Sequence, residues 1–217
     1  MGGPLRAEWQ TAPESGAVHP AEHLADDAIH LWALGTSRRE DDLSARRLVA
    51  RYAGITVEEM HWQVGEHGKP ALADSPLVFN LSHSGSTTLL ALARNVALGV
   101  DVEHPRRIAR RRALLARSFT AAERTRIEGS ADVDAALLRH WAAKEAVVKA
   151  IGRGIAYGLH NIELAAADDD DLVLARLEGP AGPHTRWRVA GVALGDGAFG
   201  ALAWDGAARR IECYRGA

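Results

Sequence analysis

Between residues 98 and 103 the chain reads Leu-Gly-Val-Asp-Val-Glu, a strand pattern of period two. Val100 and Val102 fall on one face. Asp101 and Glu103 fall on the other, about 7 Å apart, roughly twice the 3.3 Å rise per strand residue. Two carboxylates side by side on a short apolar strand repel each other unless a cation joins them, and one hard divalent ion spans such a gap. A solvent-facing edge strand that binds nothing would carry the same letters. The choice rests on a later helix pattern, Trp141-Ala-Ala-Lys-Glu-Ala-Val-Val-Lys-Ala150, which brings a third acid and two lysines.

That pattern belongs to the longest helical stretch, Asp132 to Ile151, with Leu137, Leu138, Trp141, Val148 and Ile151 as its apolar stripe and Gly152-Arg-Gly154 as its stop. Trp141, Glu145 and Lys149 recur every four residues and share one stripe, with about 40° of drift per step. An exposed Glu-to-Lys pair at this spacing is worth only a few tenths of a kcal/mol. With Trp141 on the same stripe, the pair is expected at the rim of a buried face, where an unpaired charge is expensive.

The other elements follow from similar cues. Ala28 to Gly35 reads as the first strand, and a helix follows from Ser37, with a capping box to Glu40, as far as Gly54. Arg38, Arg39, Arg46, Arg47 and Arg51 crowd its polar face, either solvated and paired with Glu40, Asp41 and Asp42 or turned to an anion. His61 to Val64 is a strand, and the Gly65 to Pro70 turn is expected to hold Lys69 out from the surface. Leu77 to Leu81 is a strand, Ser82-His-Ser-Gly-Ser86 a turn, and Thr87 to Asn95 a buried strand. After Pro105 an amphipathic helix carrying Arg106, Arg107, Arg110, Arg111, Arg112 and Arg117 runs to near Phe119, and Thr120 with Glu123 makes another capping box. The final third is mostly strand, with a solvated acidic tip at Asp168 to Asp171.

The 217 residues, 47% apolar, can bury a core, and no Pro-, Gly- or Ser-rich linker divides them. Residues 1–27 read as a tail without a signal-peptide pattern, 28–100 as an N-terminal half and 101–217 as a C-terminal half; both halves share a strand, helix, strands order. A net charge of −2 argues against nucleic-acid binding, and no apolar run is long enough to span a membrane. With Cys213 as the lone cysteine, no intrachain disulfide can form and a cytoplasmic location is expected.

Asp101, Glu103 and Glu145, taken with Lys69, His83, Lys144 and Lys149, suit Mg2+ held by a few carboxylates and by substrate phosphate oxygens. Phosphoryl transfer by positioning and charge neutralisation follows. A serine hydrolase at Ser82-His83 does not, because adjacent side chains on a strand end point apart and no Gly-x-Ser-x-Gly elbow exists. His83 finds no partner at metal-ligand spacing among the other nine histidines.

Gly68-Lys-Pro70, Phe79-Asn-Leu-Ser-His-Ser-Gly85, Leu98-Gly-Val-Asp-Val-Glu103 and Trp141 to Ala150, in this order and spacing, resemble the 4′-phosphopantetheinyl transferases of the Sfp type. The resemblance implies an α+β fold of two similar α/β halves about a pseudo-twofold axis, with the active site in the cleft between them. It implies transfer of phosphopantetheine from coenzyme A to a serine of an acyl or peptidyl carrier protein, releasing adenosine 3′,5′-bisphosphate, by an enzyme that needs no second copy. On matching positions, Asp101, Glu103 and Glu145 would hold Mg2+, or Mn2+ in its place. Glu145 would take the serine proton, Lys149 and His83 would steady the pyrophosphate, and Lys69 and Ser82 would hold the nucleotide end. Glu123 matches a further acid near the site. The family's basic segment after the first strand is missing, which leaves Arg38, Arg39 or Arg46 to hold the 3′-phosphate. A binding protein that has lost catalysis, and a Mg2+-dependent phosphohydrolase, are the competing classes.

Overall fold

Strand β2 (Ala28–Gly35) is buried from Ala28 to Leu34, as a strand covered on both faces must be. It lies in the middle of a five-stranded sheet ordered β1 (Trp9–Thr11), β12 (Arg210–Arg215), β2, β6 (Thr87–Arg94), β5 (Leu77–Ser84). It pairs parallel with β12 and antiparallel with β6. Helix α1 (Arg38–Ala53) covers one face, with Val49 and Tyr52 in the same cluster as Trp32, Phe79, Leu90 and Leu92. Ile29, Leu31, Leu89 and Ala91 line the other and pack on Leu98, Val100, Leu202 and Trp204 of a second sheet. The structure, a computed structural model, describes residues 8–11, 19–35, 38–167, 171–195 and 197–216, without the side chains of 38–42 and 155.

The second sheet is antiparallel, in the order β10 (Trp187–Ala193), β11 (Phe199–Asp205), β7 (Leu98–Glu103). Helix α4 (Val133–Ile151) lies on its outer face. Asp132 caps the first turn of α4, and Gly152 at φ 77° ends it. Gly99 sets how closely helix and strand approach: a Cβ there would stand 2.0 Å from Ala146 O and 2.4 Å from Ala150 N. The two backbones touch because no side chain separates them. The layers therefore run α1, five-stranded sheet, three-stranded sheet, α4. Helices α2 (Arg111–Ser118) and α3 (Ala121–Glu128) and the ribbon of β8 (Ile162–Ala166) with β9 (Leu172–Leu177) flank α4, and the ribbon of β3 (Trp62–Val64) with β4 (Pro70–Leu72) flanks β5.

The α+β class and the placement of the long helix and most strands match the sequence reading, including the capping box at Thr120 and Glu123. Other expectations change. A division at residue 100 falls inside β7, and β12 returns from the C-terminal part to the first sheet, where Trp9–Thr11 of the expected tail pairs beside it. Ser82, His83 and Ser84 continue β5 instead of turning, because their backbones pair with Leu89, Thr88 and Thr87; the turn is Gly85-Ser86. The arginine-rich helix begins only at Arg111. The Ser37 cap and Asp168 to Asp170 lie outside the described residues. Among the described residues no helix is long and apolar enough to cross a membrane.

Candidate active site

The open edge of β7 is the seam of the molecule. Residues 99, 101 and 103 face α4, while the backbone groups of Leu98 and Val100 point away from β11 and need partners from elsewhere. Side chains supply them. Lys69 Nζ donates to Leu98 O at 2.7 Å and to Lys149 O at 2.8 Å. Asn80 Oδ1 accepts from Val100 N at 2.8 Å, Lys149 Nζ donates to Val100 O at 3.1 Å, and Ser84 Oγ accepts from His104 N at 3.2 Å. Asn80, Ser82 and Ser84 alternate along β5, so all three point from the first sheet towards this edge.

Asp101 lies where these bonds converge. Ser82 Oγ donates to its Oδ1 at 2.7 Å, and Lys149 Nζ donates to the same oxygen at 2.7 Å and to Ser82 Oγ at 2.8 Å. Its other oxygen, Oδ2, is buried and has no hydrogen-bond partner among the described residues. Burial raises the Asp101 carboxyl above the usual range, opposed by the Lys149 ammonium. Glu145, one turn before Lys149, is half-buried; burial and then the charge of Asp101 raise its carboxyl, Lys149 opposes, and Glu103 adds to the rise. Asp101 and Glu103 thus both act electrostatically on Glu145.

They do not form a finished cage. Glu103 Oε2 is held by Arg106 at 2.5 Å, and among the described residues no three His, Cys, Asp or Glu side chains converge closely enough to hold an ion. The donor set nonetheless fits a hard divalent cation that brings oxygen ligands of its own. An orphaned carboxylate oxygen and a second carboxyl destabilised by negative charge both gain from a cation between them.

Several predicted residues are held differently from the expectation. Lys69 is not held out from the surface: it is half-buried with its Nζ on two carbonyls, and burial lowers its ammonium to about 8. Beside it a cavity of about 160 Å3 is lined by His67, Gly68, Pro70, Asn80, Lys149 and Gly152, among others. His83 points to the α1 face of β5, opposite Ser82, and its Nδ1 is 2.8 Å from Thr88 Oγ1. Lys144 faces inward on α4, wholly buried, and donates to Glu123 Oε2 at 2.6 Å, Ser118 O at 2.9 Å and Leu159 O at 3.0 Å. Glu123 is likewise a core partner and not a site acid, its Oε1 accepting from Leu164 N. Arg46 is exposed and stands over the Trp62 ring at 5.6 Å; the side chain of Arg38 lies outside the described ones.

The sequence reading passed over Asn80 and Ser84. Their alternation with Ser82 was the available signal, hidden by ending the strand at Leu81.

The model of the 4′-phosphopantetheinyl transferase superfamily matches residues 97–196, which contain β7 and all of α4. The 4′-phosphopantetheinyl transferase HetI of Nostoc sp. is 33% identical over 199 residues, covering 74% of this chain and 81% of the relative. AcpT of Salmonella typhimurium, a 4′-phosphopantetheinyl transferase, is 37% identical over 129 residues, covering 58% of this chain and 66% of the relative. The mouse L-aminoadipate-semialdehyde dehydrogenase-phosphopantetheinyl transferase is 31% identical over 174 residues, 74% of this chain; the chain spans only 56% of that relative's length. With the match to HetI extending over most of that protein and the family model falling on the strand and helix that build the seam, the chain belongs to the 4′-phosphopantetheinyl transferase superfamily.

Proposed function

We propose that this chain transfers 4′-phosphopantetheine from coenzyme A to a serine hydroxyl of an acyl or peptidyl carrier protein. The observation that carries the reading is the grouping of Asp101, Glu145 and Lys149 at the β7–α4 seam, with Glu103 within electrostatic reach. Asp101 through Oδ2, Glu145, and Glu103 once Arg106 lets go are the residues that would hold Mg2+ or Mn2+. The ion supplies charge neutralisation at the diphosphate.

The carrier serine oxygen forms a bond to the phosphorus that bears pantetheine, and the bond from that phosphorus to the bridging oxygen breaks, releasing adenosine 3′,5′-bisphosphate. The serine proton goes to Glu145, directly or through a water. Lys149, whose three N–H protons go to Asp101, Ser82 and the Val100 carbonyl, acts on the leaving diphosphate oxygen through its positive charge. The cavity by Lys69 and Gly152 suits the nucleotide end. An apolar groove of about 400 Å3 along Ala143, Gly191, Phe199 and Ala201 suits the pantetheine arm, because Ala201 and Phe199 pair with Asp101 and Glu103 on the same sheet face.

Arg106, Arg107, Arg110, Arg112 and Arg117 are exposed beyond Glu103 and would steer an acidic carrier, a rate effect that salt weakens. The two halves are read as pseudo-twofold mates, the enzyme as a monomer and its compartment as the cytoplasm. The buried Cys213, its thiol pushed up to about 12 by burial, takes no part.

Incubation with coenzyme A, Mg2+ and an apo carrier domain, read by intact mass, tests the reading. Carrier mass gain supports transfer; coenzyme A breakdown without gain identifies a hydrolase, and neither identifies a binding protein.

A further inference from the structure

We propose that Ser82 is a positioning residue for Asp101, and that it sets which carboxylate oxygen meets the cation. The inference rests on the reading of Asp101 as a metal ligand given above. Ser82 is 7% exposed and has one hydroxyl proton, which it donates to Asp101 Oδ1. In this arrangement none is left for a phosphate oxygen. Its lone pair accepts from Lys149 Nζ, which also donates to Oδ1. Ser82 Oγ, Lys149 Nζ and Asp101 Oδ1 thus close a three-atom ring that fixes the carboxylate's rotation. Oδ1 is committed twice over, and Oδ2 alone remains to be satisfied.

The support for this ring is itself rigid. Asn80 and Ser84, the residues on either side of Ser82 on the same face of β5, bond the backbone of the β7 segment at Val100 and His104. Asp101 lies between those anchors, so its main chain is held in register while Ser82 holds its side chain. Groups that orient a metal ligand in this way typically govern affinity by about 10–100-fold.

Mn2+ binding to coenzyme A-free protein, read from the paramagnetic resonance of the free ion, tests this with Ser82→Ala, a change that removes one oxygen. The expected result is a dissociation constant for Mn2+ raised about 10-fold or more, with the Michaelis constant for coenzyme A at saturating Mn2+ raised by a smaller factor. Wild-type Mn2+ affinity in Ser82→Ala together with a raised coenzyme A Michaelis constant would return the hydroxyl to the nucleotide and overturn the proposal, leaving the cation reading intact. Absence of Mn2+ binding by the unaltered protein, or undiminished binding by Asp101→Ala, would remove the cation reading and the proposal with it.

Discussion

Lys149 Nζ, in the last turn of α4, lies 2.7 Å from Asp101 Oδ1 in the middle of β7, so a helix end and a strand edge share one neutralised charge. Removing one member of such a pair strands the other where water hardly reaches. The Lys149 side chain is 28% exposed and that of Asp101 8%, which places the cost of Lys149→Met at about 2 kcal/mol, below that of fully buried pairs. The Asp101→Asn/Lys149→Met double variant recovers much of it. Urea unfolding of wild type, both single variants and the double closes the cycle, and additive losses would show that the two residues do not couple.

Glu145 behaves differently, since its carboxyl is raised and no hydrogen bond or ion pair holds it among the described residues. Glu145→Gln is expected to abolish transfer yet unfold at a higher temperature at pH 8. The sign follows from linkage: the native state holds the Glu145 proton more tightly than the unfolded chain, so stability falls as pH rises from about 4.5 through the raised native value. The glutamine variant lacks that fall. Its advantage should be present at pH 8 and gone at pH 4, and near-normal turnover would remove Glu145 as base or ligand.

Gly99→Ala tests the contact of β7 with α4. The added methyl would meet Ala146 O and Ala150 N, both backbone atoms, so the helix must shift and carry Glu145 and Lys149 with it. We expect a loss of about 3 kcal/mol in urea unfolding, with transfer reduced further than the stability loss explains. An alanine variant that unfolds and turns over like wild type would contradict so tight an approach.

His30, wholly buried on β2, sits with Nδ1 2.8 Å from Tyr52 Oη and Nε2 3.5 Å from Glu212 Oε2. Burial lowers it from 6.5 to about 4, only partly offset by the Glu212 charge. Between those values the unfolded chain binds the proton and the native state does not, so stability present above pH 6.5 is lost as pH falls to 4. The loss is about 3 kcal/mol. His30→Phe should cost stability at pH 7 but flatten that acid limb, measured as the difference in unfolding free energy from wild type at pH 7, 5 and 4. Parallel acid limbs would assign the loss to other groups.

What could be read before any coordinates was local. Alternation at 98–103 placed Asp101 and Glu103 on one face, and the 3.6-residue period of 132–151 placed Glu145 one turn before Lys149; the capping box at Thr120 and the stop at Gly152 marked helix ends. Backbone geometry dictates these periods wherever the segment goes. Which charges face the seam and which lie in the core was not legible. Lys144 and Glu145 are neighbours in sequence, yet about 100° of helix rotation sends one into the core against Glu123 and the other to the seam. Lys69 and Ser82 look like exposed turn residues until β7 is seen to present an unpaired edge to them. A side chain's role depends on what covers the face it is on, and that cover comes from segments dozens of residues away, brought there only when the sheets and helices pack.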